Sequence, residues 1–197
     1  LHYKGYIFIA ASTGAYVYHI ATGQYRKLEH LSTEPDHVYQ NYIKSFAIGE
    51  NEQLLVGAVR GLYQVDISDL PSMFERPDVP FKNKTILNDL NIWKIINDHG
   101  VLDLGTDKGL FSLDLNSGEL TKNNRVKESK YSLADPSVID IVKDSNGAMW
   151  TATKSDGAFY LPYDNYHFEN VNASMLSGDG LSHPSIWGIT EYEDKLW

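Results

Sequence analysis

The chain has 197 residues, enough for one ordinary domain or two small ones, and its 42% hydrophobic and 12% aromatic content suits a packed core rather than disorder. A formal charge of −9 argues against a nucleic-acid backbone or an anionic membrane surface as the main partner, since both would repel it. The absence of cysteine excludes a disulfide framework, a thiol nucleophile and any Cys-based zinc site.

The N-terminus, "LHYKGYIFIA", has neither an initiator Met nor a charged-then-apolar leader, and no stretch is apolar for long enough to cross a bilayer. With "EYEDKLW" at the other end, the sequence reads as a piece cut from a longer protein. Residues 1–30 read as a partial sheet starting at its second strand, "YIFIAA". A strand opening at Gly14, the turn "ATGQ" and a weak strand "YRKL" follow. Residues 42–78 hold "YIKSFAI", the turn "GENE", "LLVGA" and a strand from Gly61, with one helical turn expected near "DLPSMFERP". Residues 91–124 repeat the order with "IWKII", "NDHG", "VLDLGT", a strand from Gly109, "NSGE" and "LTKN". Residues 137–171 do so with "VIDIV", "DSNG", "AMWTAT" and a strand near Gly157, and residues 185–197 begin again with "IWGIT" and "KLW". The turns carry the Asp, Asn and Gly that hairpins favour.

The copies keep one period. Gly14, Gly61, Gly109 and Gly157 stand 47, 48 and 48 residues apart, and the small residues Ala10, Gly57, Gly105 and Ala152 stand 47, 48 and 47 apart. Apolar runs upstream, at 43–48, 92–96, 138–142 and 186–189, hold the same step. After each glycine the pairs Tyr16/Tyr18, Tyr63/Val65, Phe111/Leu113 and Phe159/Leu161 alternate onto one face of a strand. Four short antiparallel strands repeated about every 48 residues predict an all-β chain of β-propeller blades, each burying its faces against the next. The glycine is expected to permit the turn between the second and third strands, and the aromatic behind it to fill the wedge between blades. Blades without taper point to a partial arc of a larger propeller rather than a closed four-bladed ring. Open edges on such an arc invite self-association, so a homodimer is among the expected partners.

The run "DSNGAMWTATKSDGAFYL", with its weaker copies "NDHGVLDLGTDKGLFSLD" and "NEQLLVGAVRGLYQVD", resembles the two-component regulator propeller repeat. Asp103 and Leu55 stand where that repeat has Trp, and Ala15 and Ala158 where it has Leu after the glycine. The resemblance implies an arc of an about seven-bladed propeller in the periplasmic or extracellular, ligand-sensing part of a bacterial inner-membrane receptor whose parent chain is a histidine kinase or diguanylate cyclase. It implies an oligosaccharide or similar small molecule as ligand and contact with the membrane only through other parts of that parent chain. It brings no catalytic signature and no cofactor.

In a propeller, the loops entering the inner strands gather at one mouth of the channel. Here these are "TEPDHVYQNY" at 33–42, "TILNDLN" at 85–91, "YSLADPS" at 131–137 and "GDGLSHPS" at 178–185. His37, Asn41, Asn91, Asp135 and His183 on them are candidate polyol ligands, weighed against ordinary turn chemistry. Trp93 and Trp187 on the inner strands are candidate sugar platforms, weighed against packing between blades. Trp150 and Trp197 match the repeat's own structural Trp. Lys44, Lys94, Asp140 and Gly188 form an inner-strand column expected to face the channel. The seven histidines show no metal-binding spacing, Asp144–Gly147 lacks the ligand spacing of a calcium loop, and neither a nucleophile elbow nor a phosphate loop is present. The competing functions are a carbohydrate-active hydrolase or lyase on the same scaffold, and a protein-interaction platform.

Overall fold

The computed structural model describes residues 1–28, 42–123, 137–161, 169–171, 181, 183, 185–192 and 195–197. Within each sheet the strands lie side by side in chain order, giving antiparallel four-stranded sheets and, towards the C-terminal end, a two-stranded one. The chain divides into two compact units, Leu1–Gly100 and Val101–Trp197.

In the first unit, β1 (His2–Tyr3), β2 (Tyr6–Ala11), β3 (Gly14–His19) and β4 (Tyr25–Leu28) make one sheet. The expectation that it starts at its second strand is corrected: the two residues of β1 pair with β2 through the turn at Lys4–Gly5. The next sheet contains β5 (Ile43–Ile48), β6 (Gln53–Ala58), β7 (Gly61–Asp66) and β8 (Asn83–Asn88). A short helix, α1 (Leu70–Glu75), with a proline in its first turn, stands between β7 and β8 where the helical turn was expected. The fourth strand is therefore displaced beyond residue 78. Thr85–Asn88, read from sequence as loop, pair with β7 instead, with Tyr63 opposite Thr85 and Gly61 opposite Asn88. That pairing satisfies backbone groups that an open β7 edge would leave bare. Strand β9 (Ile92–Asp98) ends this unit.

The core of the unit lies between the two sheets. Phe8, Ala15 and Val17 from the first meet Leu54, Val56, Tyr63 and Val65 from the second, with Ile43, Leu70 and Phe81 closing the edges. Arg26 on β4 ties the insert down. Its guanidinium donates to the Met73 carbonyl, to the Pro77 carbonyl at 2.7 Å and to the Val79 carbonyl at 3.0 Å, and it lies 4.9 Å from the Phe81 ring centre.

The glycine columns have two different causes. At Gly57 the reason is proximity: a Cβ there would sit 2.6 Å from Ser45 Oγ and 2.8 Å from Ile92 Cγ2 on β9. At the anchor position, Gly109 has φ +114°, a conformation other residues rarely adopt. Gly61 departs from that expectation. The positive φ of its turn belongs to Arg60, at 73°, and the glycine makes room for the Tyr63 side chain, whose hydroxyl lies 2.7 Å from where a Cβ would be.

The second unit begins with β10 (Val101–Thr106), β11 (Gly109–Asp114) and β12 (Leu120–Lys122). The sheet of β13 (Val138–Lys143), β14 (Met149–Thr153), β15 (Ala158–Leu161) and β16 (Glu169–Val171) packs on β10. Gly105 allows the approach, since a Cβ there would lie 2.9 Å from the Val138 carbonyl oxygen. Asp103, buried where β6 has Leu55, is satisfied by Ser112 Oγ at 2.9 Å and by Lys143 Nζ at 2.8 Å. Asn123 Nδ2 in turn donates to Ser112 Oγ at 2.8 Å. The chain then reaches β17 (Glu191–Tyr192) and β18 (Lys195–Leu196). The strand expected at 186–190 is corrected: only Thr190 is paired there, with Trp197, at 2.9 and 2.8 Å. The preceding residues bond to the β13–β14 sheet instead, the Ile186 N–H to the Thr153 carbonyl at 3.1 Å and the Ile189 N–H to Asp140 Oδ2 at 3.0 Å.

Candidate functional site

Three of the loop candidates, His37, Asn41 and Asp135, lie outside the described residues. Asn91 is spent on structure: its Oδ1 accepts the Arg60 N–H at 3.0 Å, which holds the β6–β7 turn. His183 is exposed, and its Nδ1 accepts the Ser185 N–H at 3.1 Å, a local turn contact. Trp187 is 80% exposed and so packs little of its indole. Trp93 is half-buried on β9, with its ring centre 4.6 Å from Lys44 Nζ on β5. In the inner-strand column, Asp140 serves as the cap of Ile189 described above.

A cleft of about 460 Å³ opens elsewhere in the second unit, lined by Asp144, Ser145, Asn146, Trp150, Tyr160, Glu191 and Lys195. One wall is aromatic. Trp150 on β14 stands directly across from Tyr160 on β15, and the rings tilt by 39° with centres 4.5 Å apart. Both rings are only half-buried, so each leaves part of a face to the cleft. The rim is the β13–β14 turn, which its sequence pre-forms: Asp144 Oδ1 accepts the N–H of Asn146 at 2.9 Å and of Ala148 at 3.0 Å. Asp144 Oδ2 has no hydrogen-bond partner among the described residues. Glu191 and Lys195 add a carboxylate and an ammonium from the β17–β18 hairpin.

Such a site suits a polyhydroxylated ring. Aromatic faces take its C–H surface, carboxylates accept from hydroxyls, and Ser145, Asn146 and Lys195 donate to ring oxygens. Among the described residues, no group of three His, Cys, Asp or Glu side chains is placed to hold a metal ion. By the repeat pattern Trp150 is a structural residue of the blade, and Tyr160 lies outside the aromatic column. The available signal was a break in the column, because Tyr160 falls where β3, β7 and β11 have Val17, Gln64 and Ser112.

No protein-family model and no curated protein matches the sequence. Solved structures do. The extracellular domain of the hybrid two-component system BT4673 of B. thetaiotaomicron is 18% identical with a TM-score of 0.73, over 98% of this chain and 24% of that one. PorZ, a surface component of the type-IX secretion system of Porphyromonas gingivalis, is 17% identical with a TM-score of 0.66, over 96% and 28%. The GH74 xyloglucanase of Xanthomonas campestris is 13% identical with a TM-score of 0.57, over 87% and 29%. The chain thus spans about a quarter of the length of these proteins. At such identities the likeness shows the fold, an arc of propeller sheets, and a receptor, a secretion component and a hydrolase share it.

Proposed function

We propose that this chain is part of the ligand-sensing propeller of a bacterial membrane receptor on the periplasmic or extracellular face, and that it binds a saccharide without transforming it. The observation that carries the reading is the cleft: an aromatic wall at Trp150 and Tyr160 opposite a rim of hydroxyl, amide, carboxylate and ammonium groups. The fold shared with the extracellular domain of BT4673 supports the receptor part. Among the described residues, no helix is long and apolar enough to cross a membrane. The cleft joins a rigid sheet to the two-residue strands β17 and β18, so a ring bound against Trp150 and Glu191 shifts the packing of that hairpin, which is the movement a receptor reads out.

Calorimetric titration of neutral mono- and oligosaccharides tests the reading. A bound glycan is expected to lose about tenfold in affinity on Trp150→Ala and a similar factor on Tyr160→Ala, the worth of one lost ring contact. A panel in which nothing binds, or binding indifferent to both changes, rejects the site. Cleaved product in the cell after titration rejects binding without chemistry.

A further inference from the structure

The first unit holds a cation in an unusual setting. Lys44 Nζ lies 3.8 Å from the ring centre of Tyr42 and 4.6 Å from that of Trp93. Although the chain carries 26 Asp and Glu against 17 Lys and Arg, no carboxylate among the described residues pairs with this ammonium. The π faces attract its charge, but they accept none of its N–H groups as a carboxylate would. Two neighbours are also short of partners: Ser45 Oγ, next in the strand, and Trp93 Nε1 are buried with no hydrogen bond among the described residues. Tyr42 is 40% exposed, so the cluster is open to solvent on that side.

We propose that Tyr42, Lys44 and Trp93 form a second binding site, for a small ring compound carrying an anionic group. The anion takes the donors of the Lys44 ammonium, and the ring packs against the exposed part of Tyr42. This is a charge-selective site whose chemistry differs from the neutral-sugar cleft of the second unit and does not depend on it.

Titration of the 197-residue chain with glucuronate, glucose 6-sulfate and benzoate tests the site, with glucose and inorganic sulfate as controls. At least one of the three anionic rings is expected to bind more tightly than either control. Lys44→Gln weakens that binding about tenfold or more, the cost of a lost charge-assisted contact, while Lys44→Arg retains it. A preference for glucuronate or the sulfated sugar identifies a sugar ring as the natural class, and a preference for benzoate identifies an aromatic one. Both variants are checked for an unchanged thermal transition, and the Arg variant keeps the test valid if the Gln variant unfolds. The proposal is overturned if no anionic ring binds, if inorganic sulfate binds as tightly as they do, or if Lys44→Gln binds like the parent. It is equally overturned if Trp150→Ala abolishes the binding, which would place the anion in the cleft.

Discussion

The first and second sheets carry the same repeat columns and expose them differently. Ile7 and Ile9 on β2 correspond to Leu54 and Val56 on β6, 47 positions later. Ile9 is 45% exposed, whereas Val56 is fully buried against the first sheet. The opposite face of the first sheet, with Phe8 and Val17, is buried in that same junction. An apolar position on these sheets is therefore a capacity for burial. It becomes core only where another sheet covers it, and the free energy of the fold resides in the junctions.

Substitutions at matched positions test that contrast. The largest effect is expected from a charge: Val56→Asp places a carboxylate in the junction and costs about 3–5 kcal/mol, while Ile9→Asp stays within about 0.5 kcal/mol. Chemical denaturation of both variants measures the gap, and equal losses would mean that the outer face of the first sheet is covered after all. A smaller contrast holds for the small-residue column. Gly57→Ala drives a methyl onto Ser45 and Ile92 and costs about 1–3 kcal/mol, whereas Ala10→Val, on an exposed strand position, is tolerated within about 0.5 kcal/mol. If thermal unfolding finds Gly57→Ala harmless, the approach of β9 to β6 is looser than the structure has it.

The smallest expected effect concerns the end of the third strand, where the first sheet has His19 and the second Asp66. The Ser68 hydroxyl at 2.7 Å and its N–H at 3.0 Å hold the Asp66 carboxyl below its ordinary value. A depressed folded-state pKa contributes stability that is present above the unfolded-state value, near pH 4, and is lost as pH falls through the folded-state value. The melting temperature of Asp66→Asn should accordingly fall less than that of the parent below about pH 4, and match its slope at neutral pH. Parallel acid limbs would assign the acid loss to other carboxylates.

Much of the fold was legible because turn chemistry and side-chain alternation act locally. "DSNG" pre-forms its own hairpin through Asp144, and the step of the glycines marks where each sheet turns. Local pattern misleads where a distant element intervenes. Strand β8 sits at Asn83–Asn88 because the α1 insert is clasped by Arg26 from another sheet, and no nearby residue announces that contact. Gly61 is a glycine for the sake of the Tyr63 ring, not for its own torsion. The candidate site was less legible still. Trp150, Tyr160, Glu191 and Lys195 are spread over 46 residues of sequence and share a wall only once β17 and β18 stand beside β14 and β15.

By itself, then, the sequence determined the period, the strands, the turns and which side chains share a face, since each depends on bonds and contacts a few residues long. Tertiary structure decided which faces are core, which glycines relieve crowding, and where aromatic and charged groups meet. Those outcomes depend on what lies across a junction, and chain connectivity does not encode that distance residue by residue.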